Sequence, residues 1–282
     1  MIRSYSKQRF LSRIVQYAFC VALSLIVLVP LYLAVIGGMK DMGQLMTAPL
    51  SLPDPVLTKH YSGLLNGTLG SFWRALGNSL IIAGFTVTIT LIICVMAAFA
   101  LSRINFRGRE LFRNYFMLGL LFPLAVAILP LYLQIRTIGL LDSYFGVILP
   151  QVAFQIPMTV LLLRRFFLGI PKDLEDACSI DGYGPLGFLI NMVIPLSTPI
   201  LATTAVLTLV YSWNQFFLPL LVFNTALKFT LPLGVMEFQG QHASDWNMIL
   251  SYLTLAMVPA VVLFMSAQRY IVAGLTGGAV KG

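Results

Sequence analysis

Six long stretches of this chain contain no charged residue, and this feature limits the folds open to it more than any other. Each stretch has at least the roughly 20 residues that a helix needs to cross the hydrocarbon core of a bilayer. The predicted spans are 14–36, 75–102, 114–135, 143–163, 192–223 and 246–268. Membrane β-strands are much shorter, so the run lengths exclude a barrel and predict helices.

The composition indicates the same class, because 59% of the residues are apolar and only 10% are charged. Soluble domains do not have this balance. The prediction is an all-α polytopic membrane protein in which residues 1–282 form a single transmembrane domain with six transmembrane helices. The fifth uncharged stretch begins at Gly182 and exceeds the length of one span, so its first part, up to about residue 191, is predicted to be an interfacial amphipathic helix.

The distribution of lysine and arginine predicts the orientation. With six spans, both termini lie on one side of the membrane. Of the 18 basic residues, the opposite side holds only Lys40, Lys59, Arg74, Arg136 and Lys228. The positive-inside rule therefore predicts cytoplasmic termini and a cytoplasmic loop at 164–191. Because topology explains the net charge of +8, membrane lipid is an expected partner and nucleic acid is not.

The loop at 164–191 contains a polar segment between strongly apolar ones. Pro171 suits the first position of a short helix, and acidic residues in the following turns favour the helix dipole. Gly182 can adopt the left-handed conformation that ends a helix. The small side chains of Ala177 and Cys178 would let another backbone come close, so the segment is predicted to be a docking surface.

The spacing of this segment resembles the EAA loop of the permease subunits of binding-protein-dependent ABC importers. That motif runs acid-Ala-Ala, three residues, Gly, nine residues, Ile, one residue and Leu-Pro. The chain has Asp176-Ala177-Cys178, Gly182 and Met192-Val193-Ile194-Pro195 at these places. The replacements are conservative, although the carboxylate of Asp176 reaches less far than that of a glutamate.

Two further segments are similar to the maltose-type carbohydrate-uptake permeases. Residues 211–220 read Tyr-Ser-Trp-Asn-Gln-Phe-Phe-Leu-Pro-Leu, and residues 268–282 are similar to the C-terminus of those permeases. The resemblance implies a sugar importer in the inner membrane of a prokaryotic cell. Its expected partners are a second permease subunit, two ATP-binding subunits and an extracytoplasmic solute-binding protein. ATP and Mg would be bound by the partner subunits, and this chain would bind no cofactor.

The resemblance also implies which residues dock onto the ATPase. They are Glu175, Asp176, Ala177, Cys178, Asp181 and Gly182. In this role Asp176 offers a carboxylate to a basic group, Ala177 and Cys178 permit close packing, and Gly182 makes the turn. For Glu175 and Asp181, ordinary capping of a helix is an equal alternative.

Polar and aromatic side chains within the predicted spans are candidates for the transport path. They are Asn78, Gln151, Gln155, Tyr211, Trp213, Asn214 and Gln215. Rings such as those of Tyr211 and Trp213 can stack on sugar faces. Hydrogen bonding between helices is the more common use of an amide in a membrane, so each candidate has a structural alternative.

Motifs of catalysis are absent from the sequence. It has no phosphate-binding loop, no His-Glu-x-x-His pair and no Gly-x-Ser-x-Gly elbow, and the predicted spans contain no ionisable Asp, Glu, His, Lys or Arg. Scattered cysteines and histidines predict no metal site. The chain is therefore predicted to be a non-catalytic transport subunit that takes its energy from partners. Two alternatives remain open: an ABC permease for a non-sugar solute such as glycerol phosphate, and an ATP-independent membrane carrier.

Overall fold

The computed structural model describes residues 2–240 and 244–277. Its helices are α1 (Ile2–Gly37), α2 (Met42–Thr47), α3 (Lys59–Leu65), α4 (Phe72–Arg103), α5 (Arg109–Gly119), α6 (Leu124–Thr137), α7 (Tyr144–Leu168), α8 (Lys172–Ile180), α9 (Pro185–Leu196), α10 (Thr198–Trp213), α11 (Phe217–Val222), α12 (Leu231–Gly234) and α13 (Trp246–Gly277). Short 3₁₀ turns lie at Ala226–Lys228 and Val235–Phe238. Within these described ranges the only β-pairing is an isolated bridge between Gln239 and Ser244, so the prediction of an all-α fold is confirmed.

Four helices are individually long and apolar enough to cross a membrane: α1 from Arg13 onward, α4, α7 and α13 up to Ser266. Two bent pairs pass the same test together. The pair α5 and α6 is bent by 101°, and the pair α9 and α10 by 78°. If each bent pair counts as one span, the described chain has the six spans that the sequence predicts.

Two of the predicted spans are bent so sharply that each is divided into two helices. α5 ends at Gly119, and Pro123 precedes α6 with an extended backbone. A proline lacks the amide hydrogen and disfavours helical geometry in the residue before it, which explains a break at this point. The predicted boundary near residue 191 is absent, because α9 continues from Pro185 through a π turn at Leu189–Val193 to Leu196.

The described chain forms two compact units. The first comprises the described residues of Met1–Phe72 and Val235–Val258, and the second those of Trp73–Gly234 and Pro259–Gly282. The single-domain assignment stays a prediction. The similarity of the tail at 268–282 reaches into 278–282, which lies outside the described residues.

In the first unit, polar side chains hold the carbonyl groups at the C-terminal end of α1. Asn247 donates to the carbonyls of Gly37 and Lys40, each at 2.9 Å. The fully buried Lys40 ammonium donates to Ala48 O at 2.8 Å and Pro49 O at 2.7 Å. These bonds satisfy backbone groups that a helix end leaves without intrahelical partners, and they fix the segment that contains α2.

In the second unit, α8 and α9 pack with the ends of α4 and α7. The shared cluster includes Phe99, Leu163, Cys178 and Phe188, all of them buried. Burial of such side chains contributes about 1.5–3 kcal/mol each where they leave water. This cluster holds one face of α8 against the spans.

Candidate docking helix and transport path

The sequence of α8 explains both of its ends. Pro171 is the N-cap residue, one position before the predicted one, and Asp173 and Glu175 lie in the first turn. Gly182 has φ +85° and follows the last helical residues. Its amide donates to Ser179 O at 3.1 Å, and the Tyr183 amide donates to Cys178 O at 2.9 Å. This pair of bonds is a Schellman motif, which requires the left-handed conformation that glycine adopts readily.

One face of α8 is turned toward its own chain. Cys178 is 6% exposed within the buried cluster, and Leu174 packs against the same cluster. The Glu175 carboxylate accepts a hydrogen bond from Arg103 at the end of α4, with Nη1 and Oε2 separated by 3.2 Å. Of the predicted docking residues, the structure therefore places Glu175 and Cys178 on the inner face.

The opposite face of α8 is exposed. It carries Asp176, Ala177 and Ile180, which are spaced as one side of a helix, and the exposed turn with Asp181 and Gly182 follows. Ile180 is 86% exposed. Its apolar side chain is therefore not covered by the described chain and is available to a partner. We call Asp176, Ala177, Ile180, Asp181 and Gly182 the outer face.

Two residues of this site were missed by sequence reasoning. Ile180 is one of the three residues between Cys178 and Gly182 whose identity the motif does not specify, and one more isoleucine does not stand out in an apolar composition. Arg103 was used only as a positive charge that reports topology, although its side chain is 6% exposed and bonded to α8. The 72 positions between Arg103 and Glu175 leave no local pattern that could reveal the pair.

Two of the transport-path candidates bind other parts of the chain. The Asn78 amide donates to Leu227 O at 3.0 Å and Phe229 O at 2.9 Å, and its oxygen accepts from the Tyr144 hydroxyl at 2.8 Å. Gln151 is fully buried. Its oxygen accepts from the hydroxyls of Thr86 on α4 and Ser212 on α10. The geometry favours the structural alternative for both amides.

Four of the other candidates lie at or near an interruption in the fifth span, and Gln155 lies on α7. α10 ends at Trp213, and α11 begins at Phe217. Trp213 is 6% exposed, Asn214 is exposed, and Gln155, Tyr211 and Gln215 are half-buried. Interrupted membrane helices expose backbone dipoles and are frequent at the binding sites of transporters. Among the described residues, no cluster of His, Cys, Asp or Glu could hold a metal ion.

The described chain combines several membrane spans, two of them bent, with a short helix, α8, whose outer face is exposed. This arrangement is that of a polytopic membrane transport component. The chain belongs to the family described as "Binding-protein-dependent transport system inner membrane component", whose model matches residues 89–277. It is therefore a multi-pass inner membrane protein and a transport subunit without catalytic activity of its own. This membership confirms the resemblance found in the sequence.

Two relatives match nearly the whole length. The arabinooligosaccharides transport system permease protein AraQ of Bacillus subtilis is 32% identical and covers 99% of both chains. The trehalose/maltose transport system permease protein MalG of Thermococcus litoralis is 32% identical over 98% of this chain and 99% of its own length.

A solved structure has the same fold. It is the crystal structure of a bacterial ABC transporter involved in the import of the acidic polysaccharide alginate. One of its chains superimposes with a TM-score of 0.78 at 24% identity, covering 91% of this chain and 95% of that chain.

Proposed function

We propose that this chain is one of two membrane-spanning subunits of an ATP-driven importer that moves a carbohydrate into the cytoplasm. The substrate class is supported by the similarity to AraQ, an arabinooligosaccharide permease, and to MalG, a trehalose/maltose permease. The exposed break that carries Asn214 and Gln215 offers amide groups of the kind that bind sugar hydroxyls. Gln155 and Tyr211 are half-buried and complete the candidate path.

The observation that carries the proposal is the outer face of α8. The inner face of α8 packs against the spans, so a protein bound to the outer face can push on the membrane domain. Two ATP-binding subunits, which hold ATP and Mg, are the partners proposed for this face. Asp176 would meet a basic group, and Ile180 would fill an apolar recess.

The proposed orientation places α8 and both termini in the cytoplasm. The segments 38–71 and 224–245 then face the other side, where a solute-binding protein would deliver the carbohydrate. In this proposal the six spans enclose no continuous channel by themselves, and a second permease subunit completes the path.

Affinity purification of the tagged chain from its native membrane tests the docking surface. Asp176→Lys and Ile180→Glu are compared with wild type and with Asp54→Lys, which makes the same charge change at an exposed aspartate in the segment between α1 and α4. We expect a phosphate-loop ATPase to accompany wild type and Asp54→Lys and to be lost with the two outer-face variants.

Two results would contradict the proposal. One is the absence of any ATPase from the wild-type preparation under mild detergent conditions. The other is equal recovery of the ATPase with all four proteins, which would show that the outer face of α8 is not the docking surface.

A further inference from the structure

We propose that Arg103 is the positioning residue that makes α8 move together with the cytoplasmic ends of α4 and α7. This inference rests on the proposed docking of an ATPase at the outer face. The inference adds a residue outside the docking motif, Arg103, that transmits the displacement of α8 to the spans.

The Arg103 guanidinium joins separate segments of the chain. It pairs with the Glu175 carboxylate of α8 at 3.2 Å. Its Nη2 donates to Phe167 O at 2.6 Å and to Ile170 O at 2.5 Å, at the end of α7 and in the link to α8. Its central carbon also lies 5.9 Å from the centre of the Phe188 ring in α9.

The chemistry of these contacts suits an arginine better than a lysine. The last carbonyls of a helix have no intrahelical partner, and a planar guanidinium can bind them while it also faces a carboxylate. A lysine ammonium carries the same charge but lacks the fixed fork of donors. The Arg103 side chain is 6% exposed and that of Glu175 is 36% exposed, so the guanidinium is shielded from water and salt while the carboxylate remains partly open to them.

The directionality of these bonds matters for force transmission. Without Arg103, α8 would be held to the spans mainly by the apolar contacts of Leu174 and Cys178. Apolar contacts resist separation, but they have little preference for one rotation or register. The bonds of Arg103 fix the angle of α8 to both spans, so a displacement of α8 must carry the ends of α4 and α7 with it.

The test uses the full importer in lipid nanodiscs and hydrogen–deuterium exchange with and without ATP and vanadate. This nucleotide probe requires no knowledge of the transported solute. Arg103→Met removes the guanidinium, Arg103→Lys keeps the charge, and Glu175→Gln neutralises the carboxylate at nearly constant shape. Arg107→Met is the matched control, since Arg107 is an exposed arginine four positions away.

In wild type and Arg107→Met, we expect ATP with vanadate to change exchange in α8 and in the ends of α4 and α7. In Arg103→Met the change in α8 should remain, while the response of α4 and α7 should fall about tenfold, within the range of known coupling factors. Glu175→Gln should show the same separation of the two responses, and Arg103→Lys should be intermediate. The double variant Arg103→Met/Glu175→Gln should be no worse than Arg103→Met, because the two residues act as one unit.

The outcomes separate this inference from the docking proposal. If the ATPase binds and Arg103→Met and Glu175→Gln transmit the nucleotide response to α4 and α7 as wild type does, the role of Arg103 is wrong and docking stands. If wild type recruits no ATPase, both proposals fall. Should Arg103→Met not assemble, Glu175→Gln decides the question, because it leaves the carbonyl bonds of Arg103 in place.

Discussion

At the scale of single residues, Lys40 is a buried cation without a carboxylate among its described contacts. The carbonyls of Ala48 and Pro49, together with the more distant Ser51 hydroxyl at 3.5 Å, take the three hydrogens of its ammonium group. Its contribution therefore comes from hydrogen bonding to backbone groups, and the charge itself has no ion-pair partner.

Lys40→Met should destabilise the protein by about 1–3 kcal/mol, because the carbonyls of Ala48 and Pro49 lose a charged donor in a part-buried site. Lys59→Met is the matched control, since Lys59 is exposed in the same segment. Thermal unfolding of the detergent-solubilised proteins measures the difference. Equal midpoints for the two variants would contradict the assigned role of Lys40.

Gly182 is a residue whose identity is dictated by the conformation of its backbone. A Cβ at this position would meet no atom within 4 Å, so the cost of a substitution arises from φ +85° and not from crowding. Gly182→Ala should cost about 1 kcal/mol and loosen the end of α8, while Gly182→Asn should cost less because asparagine tolerates this conformation. Amide exchange at positions 182 and 183 measures the loosening. Faster exchange in the asparagine variant than in the alanine variant would contradict the prediction.

At the scale of elements, Asp142 connects the turn before α7 to the segment after α11. Partial burial by itself would raise the pKa of Asp142, but hydrogen bonds from Lys228, the Thr225 hydroxyl and two backbone amides outweigh it and lower the pKa to about 2. The folded state therefore binds a proton at this carboxylate less readily than the unfolded chain does.

The sign of this shift predicts a pH dependence. The contribution of Asp142 to stability is present above the unfolded pKa of 3.8 and is lost as the pH falls through about 2. Over this window the melting temperature of wild type should fall more steeply than that of Asp142→Asn, which cannot titrate. Parallel curves for the two proteins would show that the carboxylate is not held in its charged form by these contacts.

The sequence predicted the type and order of the spans better than their shape. Run length and hydropathy are enough for α4 and α7, because a long uncharged stretch in a bilayer must satisfy its backbone as a helix. They give neither the angle of a bend nor a full interruption. The prolines within the spans, Pro123 among them, predict bends, but neither the 101° angle between α5 and α6 nor the break after Trp213 was foreseen. The acidic residues and Gly182 were enough to predict the helix α8 and its end, whereas the contact of Glu175 with Arg103 depends on tertiary packing.

At the scale of the whole molecule, the predicted orientation can be tested without any partner. In a variant lacking the three native cysteines, Ile180→Cys and Asp54→Cys place single thiols at exposed positions on opposite predicted sides. A membrane-impermeant maleimide added to intact cells with a permeable outer envelope should label residue 54 at once and residue 180 only after lysis. The reverse pattern would invert the orientation and remove the outer face of α8 from the cytoplasm.

The two bent spans have a consequence for the isolated subunit. At the first bend the amides of residues 120–122 donate to carbonyls three positions earlier, as does the Gln215 amide at the interruption after α10, in place of the regular bonding of a continuous helix. The geometry of such three-residue bonds is poorer than that of α-helical bonds, so they open more readily until a neighbouring subunit covers them. These short segments are consequently natural reporters of assembly: their amides should exchange quickly in the lone chain and slowly once a second permease covers them.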